Sequence, residues 1–311
     1  MYHPYFRGKQ YELITIRENA ELLSAANFVP IIEPVKEALS GLQRTLDSVV
    51  AAEGNAIVVV NPQHGDHSDD ADRIVDYLNN GPLTNVGITP AILLKEGYSV
   101  ADARQLIDGF SDHSTTLIHA GFSDGAGLAN ALGASSNDFA HVFIENCCGR
   151  LYRRHFNAAQ RILVRDGFEK RRNKDHPVLE RFSDLHITFA EEGMSGFGDF
   201  LTVGDGYSEA GGPAYAIAIH LTFIDPEQDD EMFLHHFLSI RQDTPADPAG
   251  KFAEALHEMI RVLDDGSPIF ESNAVGEFRA LHQAGHYPGL GYVKKLSMQH
   301  HLETLANYFE V

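Results

Sequence analysis

Polar residues of the kinds that move protons or hold cations close a series of apolar runs along the first two thirds of the chain. FVPIIEPV (28–35), AIVVVNP (56–62), TPAILLKEG (89–97), TTLIHAGFSD (115–124), HVFIENCC (141–148), RILVRDGF (161–168) and LHITFAEEG (185–193) end near Glu33, Asn61, Lys95 with Glu96, His119, Glu145 with Asn146, Arg165 with Asp166, and Glu191 with Glu192. Gathered on one rim, such carboxylates, amides and cations look like a site rather than a solvated edge. Glu145, Lys95, Glu191 and His119 are the candidate catalytic groups, since a lysine or a desolvated glutamate serves as general acid or base. Glu33, Glu145 and His220 are the candidate ligands of a divalent cation such as Mg²⁺ or Mn²⁺, which prefers carboxylate and water oxygens. Such an ion would polarise a phosphoryl or carbonyl oxygen and activate water. The competing reading is that strands must end, and their ends meet water.

Glu145 stands out because it ends a buried-looking run and is followed at once by a basic stretch. Residues 150–174 carry Arg150, Arg153, Arg154, Arg161, Arg165, Lys170, Arg171, Arg172 and Lys174 against only Asp166 and Glu169. Arginine forks match phosphate and carboxylate geometry, so Arg150, Arg154, Arg165 and Arg172 are candidate anion-binding residues. Lys9 joins them, because Arg7-Gly8-Lys9 could form a turn whose amides face an anion. A basic patch balancing acidic neighbours is the alternative. There is no H-x-H, no H-E-x-x-H and no zinc-type cysteine spacing. The pairs His235-His236 and His300-His301 diverge on either a strand or a helix, so neither alone chelates.

The runs that carry these residues are apolar throughout, which suggests strands buried on both faces of a parallel sheet. Helical patterns lie between them. KEALSGLQRTLDSVVAAEG, DDADRIVDYLNNG and SVADARQLIDGF space apolar residues on one face, with Asp or Ser near the start and Gly near the end. With AYAIAIHLTFID (214–225) as an eighth strand, the fold expected is α/β, a (β/α)₈ TIM-like barrel. An open doubly wound sheet is the rival, disfavoured because no G-x-G-x-x-G turn follows any run. The β7–β8 region FGDFLTVGDGYSEAGGP is irregular, and Gly193, Gly196, Gly198, Gly204 and Gly206 read as a lid. The eighth strand turns through DPEQDD into a hairpin extension, EMFLHHFLS. C-terminal helices follow from DPAGKFAEALHEMIRVLDDG onward. The organisation expected is one barrel domain over 1–311, with 245–311 a helical extension packed on it.

The whole-chain balance narrows the classes. The chain has 311 residues and a formal net charge of -20, which argues against a general nucleic-acid binder. No stretch approaches a membrane span, and charges interrupt what would be the apolar core of a signal peptide. The two cysteines, Cys147 and Cys148, are adjacent and poor partners for each other, so a reduced, cytoplasmic setting is expected.

YFRGKQYELI, PIIEPVK, VVNPQHG, FGDFLTVGDGYSEAGGPAYAIAIHLTF, LHHFLS, DPAGKFAEAL and HYPGLGYVKKLSMQHH together resemble a family of uncharacterised bacterial proteins related to the beta-protein family, found around mobile and phage-related genes. The resemblance spans nearly the whole chain. It implies a gene neighbourhood connected with defence against mobile elements and supplies no catalytic residue. The reading is therefore a cytoplasmic barrel enzyme, a metal-assisted phosphoesterase-type hydrolase acting on an anionic, phosphate-bearing substrate. Its partner would be an anionic small molecule or nucleic-acid fragment, or a protein from a neighbouring gene, and not a membrane. The rival class is a non-catalytic scaffold or binding subunit of a defence-related complex.

Overall fold

Eight short parallel strands run side by side in the computed structural model, which describes residues 1–85, 87–209 and 214–310. They are β1 (Tyr5–Phe6), β2 (Ile31–Ile32), β3 (Ala56–Val59), β4 (Ile88–Lys95), β5 (Thr116–Ala120), β6 (Ala140–Ile144), β7 (Gln160–Val164) and, after an excursion that includes β8 (Leu179–Ser183), β9 (Gly196–Gly198). Every neighbouring pair is parallel, and helices lie between successive strands. Tyr2 bridges Phe197 in the parallel sense, and the amides of His3 and Tyr5 donate to the carbonyls of Phe197 and Asp199 at 2.7 and 2.9 Å. These bonds bring the two ends of the sheet together, so the fold is mixed α/β with a nearly closed, barrel-like parallel sheet.

The helices form where periodicity places them. Ser40–Ala51 buries Leu42, Thr45, Leu46 and Val49. Val100–Asp108 starts in a capping box, in which the Ser99 and Asp102 side chains each accept from the other's backbone amide. The runs from 28 to 168 supply strands β2 to β7, as the sequence reading expects.

The two ends of the sheet differ from that reading. LHITFAEEG is not a strand: Leu185–Thr188 is a short helix, and β9 is the Gly-Phe-Gly expected to belong to a lid. The reason is steric. A Cβ on Gly196 would lie 2.9 Å from the Met1 carbonyl oxygen, and one on Gly198 would lie 2.2 Å from that of His3. Only glycine lets β9 approach the segment leading into β1 this closely. The strand thus lacks the β-branched residues by which strands are recognised. The remaining strand is Tyr5–Phe6, too short to leave a pattern. Residues 210–213 of the glycine-rich segment lie outside the described residues.

The expected eighth barrel strand belongs to another sheet. β10 (Ala218–Asp225) pairs antiparallel with β11 (Glu231–Leu238), which pairs antiparallel with β8. The hairpin through DPEQDD forms as expected, with Asp229 and Asp230 at positive φ. In this hairpin successive residues face opposite sides, and Ile219, Leu221, Phe223 and Phe237 join a core with Phe252, Leu256, Met259, Phe278 and Leu296 of the C-terminal helices. The chain accordingly divides into two compact units where the sequence reading expects one. Met1–Asp166 with Leu185–Phe200 holds the parallel sheet, and Gly167–Asp184 with Leu201–Val311 holds the antiparallel sheet and the helices Pro248–Asp264, Asn273–Ala284 and Leu290–Tyr308. Among the described residues, no helix is long and apolar enough to cross a membrane.

The closure makes a stability prediction. Gly198→Ala should destabilise by about 1–3 kcal/mol, the scale of overpacking a tight site, read as a lowered Tm. Gly149→Ala, where an added Cβ meets nothing within 4 Å among the described residues, should leave Tm nearly unchanged.

Candidate active site

The alternation of side chains along the parallel strands selects which polar residues face inward at their C-terminal ends. Tyr5, Ile31, Val59, Leu93, Ile118, Ile144 and Val164 form one apolar cluster with Phe200. Residues from strands spread around the whole sheet can meet only on its inner side. Two residues further along the first four of these strands stand Arg7, Glu33, Asn61 and Lys95, on the same face by the period of two.

Glu33 is fully buried. Its strand stops because Pro34 has no amide to continue the ladder. Tyr5 Oη donates to Glu33 Oε2 at 2.9 Å, and the backbone amide of Gln63 donates to Oε1 at 2.8 Å. The Arg7 guanidinium pairs with the same carboxylate while lying over the rings of Tyr5 and Phe200, 5.1 and 5.2 Å from their centroids. Gly8 follows at φ +63°, where a Cβ would sit 2.8 Å from the Glu33 carbonyl oxygen, so the turn after Arg7 requires glycine. Lys95 Nζ donates to the Pro62 carbonyl at 2.7 Å. Burial lowers the Lys95 pKa, while the charges of Glu33 and Asp69 pull it the other way. The arrangement is a sequestered carboxylate flanked by a guanidinium and by an ammonium made easier to deprotonate. It can attract an anion and exchange a proton with it. Asn61 serves the sheet instead. Its side-chain amide bonds both N–H and C=O of Leu93, at 2.8 and 2.9 Å, extending the β3–β4 ladder.

The other candidates lie elsewhere. Glu145 is held by Arg165, whose Nε and Nη2 donate to its two oxygens at 2.6 and 3.0 Å. His119 points away from the inner cluster into an aromatic layer. Its Nδ1 lies 2.6 Å from Tyr152 Oη and its Nε2 lies 2.9 Å from His141 Nδ1, while His141 Nε2 meets the Ser136 carbonyl. Phe143 and Phe156 pack on the His119 ring. Glu191 is exposed on the turn preceding β9, at the opposite end of the strands from the mouth. These placements leave Lys95 as the one candidate catalytic residue at the inner mouth.

Among the described residues, Glu33, Glu145 and His220 are not gathered as one group of metal-ligating side chains. Glu33 is committed to Arg7, Tyr5 and an amide, and Glu145 to Arg165. The candidate anion-binding residues are likewise dispersed. Arg150 pairs with Glu192, Arg172 pairs with Asp175, and Arg154 is exposed on the turn preceding β7. Lys9 precedes the helix Gln10–Glu18, where its charge opposes the burial that raises the Glu12 pKa. The basic stretch is thus split between the units, and much of its charge is answered by carboxylates. Sequence reasoning missed Arg7 and Tyr5 as companions of Glu33. The signal was present in Tyr5-Phe6-Arg7, a strand-end pattern like Ile31-Ile32-Glu33, but shortened to two strand residues.

Comparison with protein-family models, with curated proteins and with solved structures returns no match.

The outer layer and the rim each give a measurable expectation. Burial lowers the His141 pKa from 6.5 to about 4, and burial with the neighbouring His141 holds that of His119 well below its ordinary value. The unfolded chain therefore takes up protons first as pH falls. Stability should be level above about pH 7 and decline between pH 6.5 and 4, by at most about 1.4 kcal/mol per pH unit per ring. Thermal melts across this range, compared with His141→Gln, check it: the variant should show the shallower decline. Glu145→Gln should change stability by less than about 1 kcal/mol, because its ion pair is partly exposed, and chemical denaturation measures that directly.

Proposed function

We propose that the parallel sheet is a (β/α)₈ TIM-like barrel and that its mouth binds and hydrolyses a small anionic, phosphate-bearing substrate. The observation that carries this reading is the inward cluster of Arg7, Glu33 and Lys95 at the C-terminal strand ends, where barrel enzymes hold their catalytic groups. Arg7 offers a planar donor set suited to phosphate oxygens. Glu33, with Tyr5 and the Gln63 amide, fixes the plane of Arg7. Lys95 transfers the proton: as water attacks phosphorus and the bond to the leaving oxygen breaks, the ammonium protonates that oxygen, and the proton given up by the attacking water restores the ammonium. Defence against mobile elements is the setting proposed for this activity.

A second reading, a non-catalytic scaffold or binding subunit of a defence-related complex, is favoured by one observation. Among the described residues, two concavities lie away from Arg7, Glu33 and Lys95. A cavity of about 10 Å³ is lined by Leu13, Ile32 and Leu42 among others, and one of about 220 Å³ by Phe223, Phe270 and Tyr308 among others.

Assay of the purified chain against a panel of phosphomonoesters and phosphodiesters separates the two. Lys95→Met should lower the rate by roughly 10²-fold or more, the scale of acid–base catalysis, with Tm little changed. The alkaline limb of the rate profile should lie below the ordinary lysine value of 10.5. No turnover across the panel, or undiminished turnover by Lys95→Met, would favour the scaffold.

A further inference from the structure

Three histidines from separate segments converge in the unit that holds the antiparallel sheet. His220 on β10 and His236 on β11 are directly opposed in the register, with their Nδ1 atoms 2.7 Å apart. His176, immediately after the turn Asn173–Asp175, stacks on His236 with ring centroids 4.4 Å apart and an interplanar angle of 21°. One ligating atom from each of the three lies within 4.8 Å of the others. No other group of three or more His, Cys, Asp or Glu with such spacing occurs among the described residues.

Two features point to a ligand role rather than to packing. His176 is 6 % exposed, and its buried Nδ1 has no hydrogen-bond partner among the described residues. The Glu180 Oε1 atom is 3.7 Å from it, beyond hydrogen-bond range. The second feature is the orientation of His236. Its Nε2 lies 2.8 Å from Glu180 Oε1, and an ionised carboxylate only accepts, so Nε2 carries the proton and Nδ1 presents its lone pair towards His220. A carboxylate behind a histidine in this way fixes the tautomer and ring plane in metal sites. Arg171 Nη1 in turn holds both Glu180 oxygens, at 2.9 and 2.7 Å. Phe168 packs against all three imidazoles. The charged groups acting on the cluster are Glu180, Arg171, Asp175 and Lys294. Burial is the largest influence on each ring and favours the neutral form, with His236 lowered to about 4, while Glu180 opposes it at His176 and His236. Neutral imidazole is the form that binds metal.

We propose that His176, His220 and His236 bind a divalent transition-metal ion of the zinc type, with Glu180 positioning His236. Imidazole donors suit zinc, copper, nickel or iron better than magnesium or calcium. A tetrahedral ion at about 2.0–2.1 Å from each nitrogen sets them roughly 3.3–3.4 Å apart. The His220–His236 pair therefore opens by about 0.6 Å on binding, within reach of small ring rotations. Three protein ligands leave a fourth position for water or another small molecule.

Titration of the full-length, tag-free, chelator-stripped chain with Zn²⁺ by calorimetry, and with Co²⁺ by visible absorption, tests the site. The expected result is one ion per chain, with Co²⁺ showing the intense bands of tetrahedral coordination. His176→Ala and His220→Ala should each weaken binding at least 100-fold. Glu180→Gln should weaken it 10–100-fold at unchanged stoichiometry. His235→Ala, whose ring stacks on Phe237 instead, should bind as the wild type does. Absence of saturable one-to-one binding by the wild type, or equal affinity in folded His176→Ala and His220→Ala, overturns the proposal. If those variants do not fold, Co²⁺-induced shifts of histidine ring signals in the wild type decide it. Shifts confined to three coupled imidazoles, absent in Glu180→Gln at low Co²⁺, support the site; no shifted imidazole signals overturn it.

Discussion

A carboxylate buried in the apolar inner face of a sheet must be compensated within hydrogen-bond distance, and Glu33 imposes that requirement on the whole mouth. Removing one partner of such a pair costs about 3–5 kcal/mol, because the remaining charge stays desolvated. The compensation comes from three groups: Arg7 and Tyr5 from β1 and its extension, and the Gln63 amide from the segment after β3. One side chain thus ties together the ends of three neighbouring strands. It also explains the neighbouring glycine, since the chain must turn at Gly8 hard against the Glu33 carbonyl for Arg7 to reach inward. Lys95 experiences the same field, with burial favouring its neutral form and Glu33 opposing that.

The two faces of the parallel sheet divide the polar residues by role. Inward positions collect charge around Glu33, whereas the outward His119 and His141 form a neutral relay from Tyr152 to the Ser136 carbonyl. Cys148 shares this outer layer: its Sγ donates to the His119 carbonyl, and burial pushes the thiol pKa up to about 12. A thiol so placed is a packing group rather than a nucleophile. The basic stretch 150–174 follows the same economy. Arg153, though buried, reaches Glu192, and Arg171 supports the histidine cluster through Glu180. Local excess charge in the sequence has become structural pairing.

Much of the fold was legible because burial on both faces leaves a local mark. Six of the apolar runs became parallel strands, and the helices between them carry their caps and apolar faces in the sequence. The hairpin after Asp225 was readable from its acidic turn. β9 was not, because close backbone approach selected glycine, which erases the signature of a strand. Tyr5–Phe6 was missed because two residues have no period. Of the residues named from their positions at strand ends, Lys95 and Glu33 lie on the inner face and Glu145, His119 and Glu191 do not, because a strand end by itself does not fix facing.

Near neighbours along the chain set which segments are apolar, where helices start and stop, and which polar residues end each run. The tertiary structure decided everything that depends on facing and on distant pairing. A shift of one residue separates inward Lys95 from outward His119, since side chains alternate across a strand. Only the antiparallel register sets His220 against His236, and only the return of the chain at β8 brings Glu180, with His176 before it, beside them. Those contacts join residues 16 to 56 positions apart, as His220–His236 and Glu180–His236 do, so no local pattern in the chain contains them.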